Sequence, residues 1–221
     1  MSHVAVKICG LSTPETLEAA IKAGADMAGF VFYEKSPRHI DLAAASRLGE
    51  IAAGRIQKVA LSVDADDDAL AAMIDALAPD FLQLHGNETP ERVAAVRARF
   101  RRKIIKAIGV ATATDVERGA AYRAADMLIY DAKPLPDAAL PGGNGVVFDW
   151  RLMRGAAAEK PWLLSGGLDA SNVVEALRVS GARGVDVSSG VERSRGVKDP
   201  ARIAAFVGAA RRSGLGKPKS P

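Results

Sequence analysis

Apolar runs typical of β-strands alternate with amphipathic helical patterns along almost the whole chain. The strand-like runs begin near Val4, Ala28, Gln57, Phe81, Lys103, Asp126, Pro161 and Gly184. Helical patterns cover residues 14–23, 67–77 and 90–100, and a last one covers 199–210. Because about eight strand–helix units follow one another at a period of roughly 25 residues, the pattern predicts an α/β fold. We expect a single-domain (β/α)8 TIM barrel over residues 1–212.

Polar, proline and glycine residues mark the ends of several predicted helices. The start signals are Thr13-Pro14, Thr89-Pro90 and Asp199-Pro200, and the end signals are Gly24 and Gly181. The rival fold is an open doubly wound sheet, which usually has fewer units and carries a G-x-G-x-x-G motif after its first strand. The first strand here is not followed by that motif, which favours the barrel.

The first strand predicts a thiol at the mouth of the barrel. Side chains alternate between the two faces of a strand, and here one face is aliphatic while the other carries Lys7 and Cys9. We expect the face with Lys7 to point into the barrel, which places Cys9 where barrel active sites lie. A lone buried cysteine is usually a small hydrophobic residue. A neighbouring ammonium favours the thiolate, however, so we expect Lys7 to bring the pKa of Cys9 closer to neutral pH.

Four polar side chains follow other predicted strands at the same end of the barrel. Arg38, after the second strand, suits a carboxylate with its planar guanidinium, although a surface arginine is the alternative. His85, after the fourth, fits either a substrate contact or a loop cap. Asp131, after the sixth, fits either a catalytic acid or a cap. Asp186, within the eighth, requires a donor from protein or ligand. A thiol and a carboxylate on different strands are a candidate base and acid.

The turns after the seventh and eighth predicted strands favour a phosphate site. They read SGG at 165–167 and SSG at 188–190. Glycines let backbone N–H groups approach an anion closely, and serine hydroxyls add donors. These two loops commonly hold phosphate in β/α barrels, although two ordinary turns would look similar. The candidate phosphate-binding residues are Gly166, Gly167, Ser189 and Gly190.

Two segments depart from the regular alternation. The interval after the sixth strand is long, with a proline-rich and a glycine-rich half within residues 132–145, as binding loops and lids often are. Residues 213–221 are basic and rich in glycine and proline, which predicts a flexible tail outside the barrel domain.

The composition limits the partners of the protein. The chain has 221 residues, is 48% apolar and carries a formal net charge of +4. No dense Lys/Arg stripe with interleaved aromatic residues is present, so we expect a small anionic substrate and no nucleic acid. No apolar run approaches the roughly 20 residues of a membrane span. With one cysteine and no signal-peptide pattern at the start, the sequence predicts a cytoplasmic protein.

The sequence also predicts chemistry without a metal or cofactor. The three histidines, His3, His39 and His85, do not fall into a recognised metal-ligand spacing. A dinucleotide fingerprint is likewise missing.

Several motifs together resemble the phosphoribosylanthranilate isomerase family. In chain order they are VKICGL, KSPRHI, LQLHGNE, LIYDAK, GGNGVVFDW, LSGGLDASNV and GVDVSSGVERSRGVKDP. One motif alone would be weak, but the set covers nearly the whole chain at suitable spacings. The resemblance implies a TIM barrel that converts N-(5-phosphoribosyl)anthranilate into 1-(2-carboxyphenylamino)-1-deoxyribulose 5-phosphate. This is an Amadori rearrangement of tryptophan biosynthesis, an aldose–ketose isomerisation that needs no cofactor.

The resemblance also implies roles for individual residues. Cys9 matches the general base of the family, and Asp131 matches its general acid. Arg38 would hold the anthranilate end, Asp186 would approach the anthranilate amine, and Lys7 and His85 would contribute to substrate binding. The phosphate would bind at Gly166, Gly167, Ser189 and Gly190. Two features depart from the family pattern: Asn144 stands where many relatives have threonine, and the third strand lacks a phenylalanine often found near its end.

Two other functions fit parts of the sequence. Another phosphosugar barrel would share the phosphate site, but indole-glycerol-phosphate synthase should show inward lysine and glutamate pairs, and an epimerase two acids and commonly a metal. A non-catalytic barrel that only binds a phosphate ligand would have lost the base or the acid, and Cys9 and Asp131 are both present. The expected partner is the phosphosugar–anthranilate substrate, and the expected assembly is a monomer or a homodimer.

Overall fold

Eight parallel strands close into a barrel in the computed structural model, which describes residues 3–133, 145, 147–156 and 160–213. The strands are Ala5–Cys9 (β1), Met27–Phe32 (β2), Gln57–Ser62 (β3), Phe81–Leu84 (β4), Lys103–Val110 (β5), Met127–Ala132 (β6), Trp162–Leu164 (β7) and Gly184–Val187 (β8). Their order around the barrel follows the sequence, and β1 pairs with both β2 and β8, so the ring has no open edge. The predicted barrel is confirmed, and every strand starts within one residue of its predicted position.

Helices pack around the barrel, and the predicted helices 14–23, 67–77 and 90–100 begin and end where the sequence places them. They are Pro14–Ala23 (α1), Leu42–Ala52 (α2), Asp67–Leu77 (α3), Pro90–Phe100 (α4), Ala113–Glu117 (α5), Val173–Ser180 (α6) and Pro200–Ser213 (α7). The hydroxyls of Thr13 and Thr89 accept hydrogen bonds from the first turns of α1 and α4. Gly24 and Gly181 end α1 and α6 in the left-handed conformation, with φ values of 80° and 73°.

Two helical units are shorter than the regular pattern predicts. Helix α5 has 5 residues and continues as a 3₁₀ turn, Arg118–Ala121. A Cβ at Gly119 would lie 2.3 Å from the Tyr130 hydroxyl oxygen, so this turn packs directly against β6. After β6, the 3₁₀ helix Trp150–Gly155 stands where a regular unit would have an α-helix, and Met153 anchors it in the core.

The two faces of β1 pack into separate surroundings. Val6 is fully buried in the large apolar core between strands and helices. Lys7 and Cys9 face the interior of the barrel, as the alternation of side chains predicts. Cys9 packs there against Val31 and Leu61, in a small apolar layer near the carboxyl ends of the strands.

A short hairpin that the alternation does not predict follows β8. After a 3₁₀ turn, Ser189–Val191, the chain forms the antiparallel strands Glu192–Ser194 (β9) and Val197–Lys198 (β10). A Cβ at Gly196, between the two strands, would lie 2.7 Å from the carbonyl oxygen of Pro37. The β9–β10 hairpin is therefore packed against the loop that follows β2.

The two irregular segments of the sequence fall mostly beyond the described residues. Residues 134–144 of the predicted binding loop and residues 214–221 of the predicted tail lie outside them. Helix α7 ends at Ser213, one residue past the predicted end of the barrel domain. None of the described helices combines the length and the apolar character that a bilayer span requires.

The packing of α7 on the barrel depends on Phe206, whose side chain is fully buried. We expect Phe206→Ala to lower the free energy of unfolding by about 3–5 kcal/mol, because the change removes buried apolar surface and leaves a cavity. The control is Val174→Ala on α6. Val174 is 45% exposed, so its truncation should change stability by no more than about 0.5 kcal/mol. Urea unfolding followed by circular dichroism measures both, and equal losses would contradict the assignment.

Candidate active site

A cavity opens at the carboxyl ends of the barrel strands, where sequence reasoning places the reactive residues. Its empty volume is about 750 Å³, including the part open to solvent. The predicted site residues that line it are Cys9, Arg38, His85, Asp131, Gly166, Gly167, Asp186 and Ser189. Lys7 and Gly190 are outside the lining, since Lys7 is fully buried beneath the cavity and Gly190 packs between two loops. The fold thus brings side chains from separate sequence motifs into one cavity.

A buried ion pair forms the floor of the cavity. Lys7 Nζ donates a hydrogen bond to Asp186 Oδ1 at 2.8 Å, and neither side chain is more than 5% exposed. Ser165 Oγ donates to the other carboxylate oxygen at 3.3 Å. Burial acts to lower the pKa of Lys7, but the charge and hydrogen bond of Asp186 outweigh burial and raise it. Lys7 is therefore an ammonium at neutral pH.

The Cys9 thiol lies next to this ammonium, but burial outweighs the effect of the ammonium on its pKa. Burial raises the pKa of Cys9, Lys7 acts to lower it, and Asp186 opposes Lys7, with a net rise above the ordinary value. Lys7 therefore acts in the expected direction, but the expectation of a Cys9 pKa nearer to neutral pH is wrong. The cost of burying a thiolate exceeds the attraction of one ammonium that is already paired with a carboxylate. The thiol is the resting form of Cys9.

Asp131 is the next-to-last residue of β6, and its side chain lines the cavity. Its Oδ1 accepts a hydrogen bond from the Ala132 backbone N–H at 2.9 Å. Its Oδ2 lies 3.5 Å from His85 Nε2, and His85 Nδ1 is hydrogen-bonded to Gln83 Nε2 at 2.9 Å. Gln83 and His85 thus form a chain of polar contacts that leads from the barrel interior to Asp131.

The turns after β7 and β8 form the wall beside Asp131. Gly166 and Gly167 have φ values of 92° and 61°, a region that favours glycine. A Cβ at Gly190 would lie 1.9 Å from the Leu168 carbonyl oxygen. Only glycine at this position lets the two turns lie against each other. Gly190 therefore shapes this wall from behind, while Gly166 and Gly167 line it.

The glycine-rich segment before the 3₁₀ helix reaches the same wall. Gly145 lines the cavity, and a Cβ on it would lie 3.8 Å from Ser189 Oγ. Asn144, one of the two departures from the family pattern, lies outside the described residues. Gly145 therefore lies where it would contact a ligand bound by the turns after β7 and β8.

Arg38 enters the cavity from the loop after β2 and is held by the β9–β10 hairpin. Its Nε and Nη2 donate to the two carboxylate oxygens of Glu192 at 2.6 and 3.0 Å. Lys198 Nζ donates to the same carboxylate at 2.7 Å. Burial acts to raise the pKa of Glu192, but Arg38 and Lys198 lower it to about 2. Burial lowers the pKa of Lys198 to about 8, although Glu192 opposes this change.

Sequence reasoning did not identify Glu192 and Lys198, and it placed Ser165 in a phosphate turn without its contact to Asp186. Glu192 and Lys198 lie within the last quoted motif, where opposite charges flank the Arg195-Gly196 turn. That spacing could have suggested a β-hairpin with an ion pair between its two strands. In the described ranges, no group of three or more His, Cys, Asp and Glu side chains is arranged to hold a metal ion.

The fold and the cavity define a TIM-barrel enzyme with a thiol and a carboxylate at one site. The sequence model of the family described as N-(5'phosphoribosyl)anthranilate (PRA) isomerase matches residues 6–209. The chain therefore belongs to this family, whose members are isomerases of tryptophan biosynthesis.

Similar proteins agree with this assignment. A sequence named N-(5'-phosphoribosyl)anthranilate isomerase from Azorhizobium caulinodans is 58% identical over 205 residues, 92% of this chain and 90% of that protein. Another of the same name, from Parvibaculum lavamentivorans, is 54% identical over 213 residues, 95% of this chain and 99% of that one.

Solved structures of the family share the fold. The crystal structure of phosphoribosyl anthranilate isomerase from Thermotoga maritima superposes with a TM-score of 0.84 at 33% identity, covering 95% of this chain and 99% of that one. A second structure holds reduced 1-(o-carboxyphenylamino)-1-deoxyribulose 5-phosphate, with a TM-score of 0.82 at 32% identity and the same coverage.

The raised pKa of Cys9 predicts slow alkylation at neutral pH. Because the thiolate is the reactive form, we expect the rate with iodoacetamide to rise with pH and to reach half its maximum above the value of free cysteine, about 8.5. Mass spectrometry measures the modification without ambiguity, since Cys9 is the only cysteine.

Lys7→Met is the matched variant for this experiment. Removing the ammonium removes both the charge and the hydrogen bond by which Lys7 lowers the pKa of Cys9, so alkylation should shift to still higher pH. A half-maximal rate below pH ~8 in the unchanged protein would contradict the dominance of burial.

Proposed function

We propose that this chain converts N-(5-phosphoribosyl)anthranilate into 1-(2-carboxyphenylamino)-1-deoxyribulose 5-phosphate by acid–base catalysis with its own side chains. The observation that carries the proposal is the presence of the Cys9 thiol and the Asp131 carboxylate in one cavity. Arg38 and the glycine-rich turns after β7 and β8 line the same cavity. Cys9 and Asp131 suit the reactive centre of that substrate, Arg38 suits its carboxylate, and the glycine-rich turns suit its phosphate.

Asp131 acts as the general acid that opens the sugar ring. It donates a proton to the furanose ring oxygen as the bond from C1 to that oxygen breaks, which leaves an iminium between C1 and the anthranilate nitrogen. Asp131 lies at the end of β6, next to the glycine-rich wall formed by Gly166. This position lets the carboxyl group approach a ribose whose 5-phosphate is held by the adjacent turns.

Cys9 acts as the general base of the next step. Its thiolate takes the proton from C2, the C2–H electron pair forms a C1–C2 double bond, and the iminium electrons return to nitrogen. The enolamine then gains a proton at C1 and loses one from the 2-hydroxyl, which gives the ketose. Because burial raises the pKa of Cys9, its thiolate is the minor form at neutral pH but is a stronger base once formed.

The remaining residues bind and orient the substrate. Arg38 pairs with the anthranilate carboxylate, and Asp186 accepts a hydrogen bond from the anthranilate amine. Lys7 does not line the cavity, so it acts through Asp186, whose charge it stabilises. His85 contacts Asp131 and supports its orientation.

The phosphate is held by backbone N–H groups of Gly166 and Gly167 and by the Ser189 hydroxyl, all in the wall of the cavity. Gly190 contributes by allowing the two turns to pack together.

We also propose that the protein works in the cytoplasm as a monomer or a homodimer. A single cysteine suits a reducing compartment. A related structure consists of monomers derived from the dimeric Thermotoga maritima enzyme, so the architecture occurs in both forms. Light scattering after size-exclusion chromatography distinguishes the two states, and a mass above that of a dimer would contradict the proposal.

Substitution of the base or the acid should reduce turnover far more than binding. We expect Cys9→Ala and Asp131→Asn each to lower kcat by about 10²–10⁴-fold, the usual contribution of a positioned proton-transfer group, while KM changes little. The assay forms N-(5-phosphoribosyl)anthranilate in place from anthranilate and phosphoribosyl pyrophosphate and follows the loss of its fluorescence. Indole-glycerol-phosphate synthase is added to remove the product.

Two outcomes would overturn parts of this proposal. A folded variant with near-normal kcat removes that residue from the mechanism. Unchanged fluorescence with the folded parent protein means that the barrel acts on another substrate, and a screen of phosphosugars would follow.

A further inference from the structure

Three buried charged side chains lie on the side of the cavity that Arg38 lines. Arg38, Glu192 and Lys198 are 4%, 6% and 4% exposed. Removing three charged groups from water costs more than three apolar side chains would, and a buried ion pair is by itself weak support for stability. Their arrangement at the edge of the cavity therefore calls for a function other than holding the fold together.

The contacts of Glu192 fix the plane of the Arg38 guanidinium. Two parallel hydrogen bonds, from Nε and Nη2, give a fork geometry that a single charge contact cannot provide. Glu192 Oε2 also accepts from the Gly196 backbone N–H at 3.0 Å, which ties the carboxylate to its own hairpin. The hairpin backbone thus holds the Glu192 carboxylate in the orientation in which it binds Arg38.

The stem of Arg38 is confined as well. A Cβ on Gly10, the residue after Cys9, would lie 2.6 Å from Arg38 Cδ. Gly10 has a φ of 80°. The glycine therefore lets the arginine side chain cross closely over the chain next to the base. The position of Arg38 is linked in this way to the position of Cys9.

Lys198 connects this cluster to the carboxyl end of β8. Its Nζ donates to Ser188 O and Ser188 Oγ at 2.9 and 3.1 Å, in addition to Glu192. Ser188 Oγ in turn donates to the Cys9 carbonyl oxygen at 3.1 Å. A continuous chain of hydrogen bonds therefore joins the backbone of Cys9 to Arg38.

The charges of the cluster leave a positive excess. Arg38 and Lys198 are two cations around the single anion Glu192, and the pKa of Glu192 of about 2 keeps it charged at neutral pH. With Lys198 protonated, these three side chains together carry a net positive charge. An anionic group on a ligand next to Arg38 would complete the balance.

We infer that Glu192 and Lys198 are positioning residues that set the direction and the net charge of Arg38 and so determine selectivity for a substrate with an aromatic carboxylate. The inference rests on the proposed function, because it assigns Arg38 to that carboxylate. Neither residue needs to touch the substrate. Glu192 orients the guanidinium, and Lys198 prevents Glu192 from neutralising it completely.

Glu192→Gln tests the inference, because it keeps the shape of the side chain but replaces one acceptor oxygen with an NH₂ group that faces two cations. We expect KM for N-(5-phosphoribosyl)anthranilate to rise by about tenfold or more, the usual effect of losing a charged hydrogen bond, with kcat reduced by less than about threefold. Lys198→Met should raise KM in the same way, and Lys198→Arg should restore it.

A ligand without the carboxylate separates positioning from general damage. N-(5-phosphoribosyl)aniline, formed from aniline and ribose 5-phosphate, is measured as a competitive inhibitor. Its Ki should change by less than about twofold in Glu192→Gln, because Arg38 has no carboxylate to meet in this ligand. The combined Arg38→Met, Glu192→Gln variant should bind the natural substrate no more weakly than Arg38→Met alone, within about twofold.

The control is Glu175→Gln, which breaks a surface ion pair with Arg178 whose side chains are 54% and 68% exposed. It should leave KM and Ki unchanged. A parallel rise of KM and Ki in folded Glu192→Gln, or no change in either, overturns the inference. So does a failure of both Glu192→Gln and Lys198→Met to fold, since the cluster would then be structural. If the unchanged protein does not isomerise the substrate, the proposed function fails instead.

Discussion

The barrel closes where its first strand pairs with its last, and the ion pair at that junction supports the whole site. Lys7 and Asp186 are Cα partners in the β1–β8 register, and their side chains meet at 2.8 Å inside the barrel. Either charge alone would be strongly unfavourable there, so each is tolerated only because strand pairing brings the other to it. The same register places Cys9 above Lys7 and next to Ser188. Closure of the sheet therefore assembles the floor of the cavity together with Cys9, the proposed base.

The walls of the cavity depend on places where a side chain is missing. Gly190 lets the turns after β7 and β8 touch, since a Cβ there would lie 1.9 Å from the Leu168 carbonyl oxygen. On the side of Arg38, Gly10 leaves space for the aliphatic part of the arginine side chain. Gly196 lets the β9–β10 hairpin pack against Pro37. Interiors are packed closely enough that one added carbon would move a loop. The positions of Arg38 and of the two turns thus depend on the close approach of backbones as well as on contacts between polar groups.

Burial and charge pairing compete to set the protonation state of the titratable groups in and around the cavity. Burial dominates at Cys9 and keeps it a thiol, whereas charge pairing dominates at Lys7 and at Glu192 and keeps both charged. The three groups differ because Lys7 and Glu192 each have a group of opposite charge within hydrogen-bond distance. Cys9 has near it an ammonium that is already shared with Asp186. If Cys9 is the base, as proposed, burial makes its thiolate a stronger base but a less populated one.

The sequence by itself determined the number and order of the strands, the inward face of β1 and the caps of α1 and α4, because neighbours along the chain encode these features. It also carried the motifs that place the candidate base, acid and phosphate turns at one end of the barrel. Only the tertiary structure decided that Arg38 pairs with Glu192, 154 residues away, that Lys7 lies beneath the cavity, and that the pKa of Cys9 is raised. These outcomes are sums of burial and charge over groups far apart in the chain, so no local pattern contains them. The short 3₁₀ helix after β6 and the β9–β10 hairpin belong with them, because both are set by what packs against them.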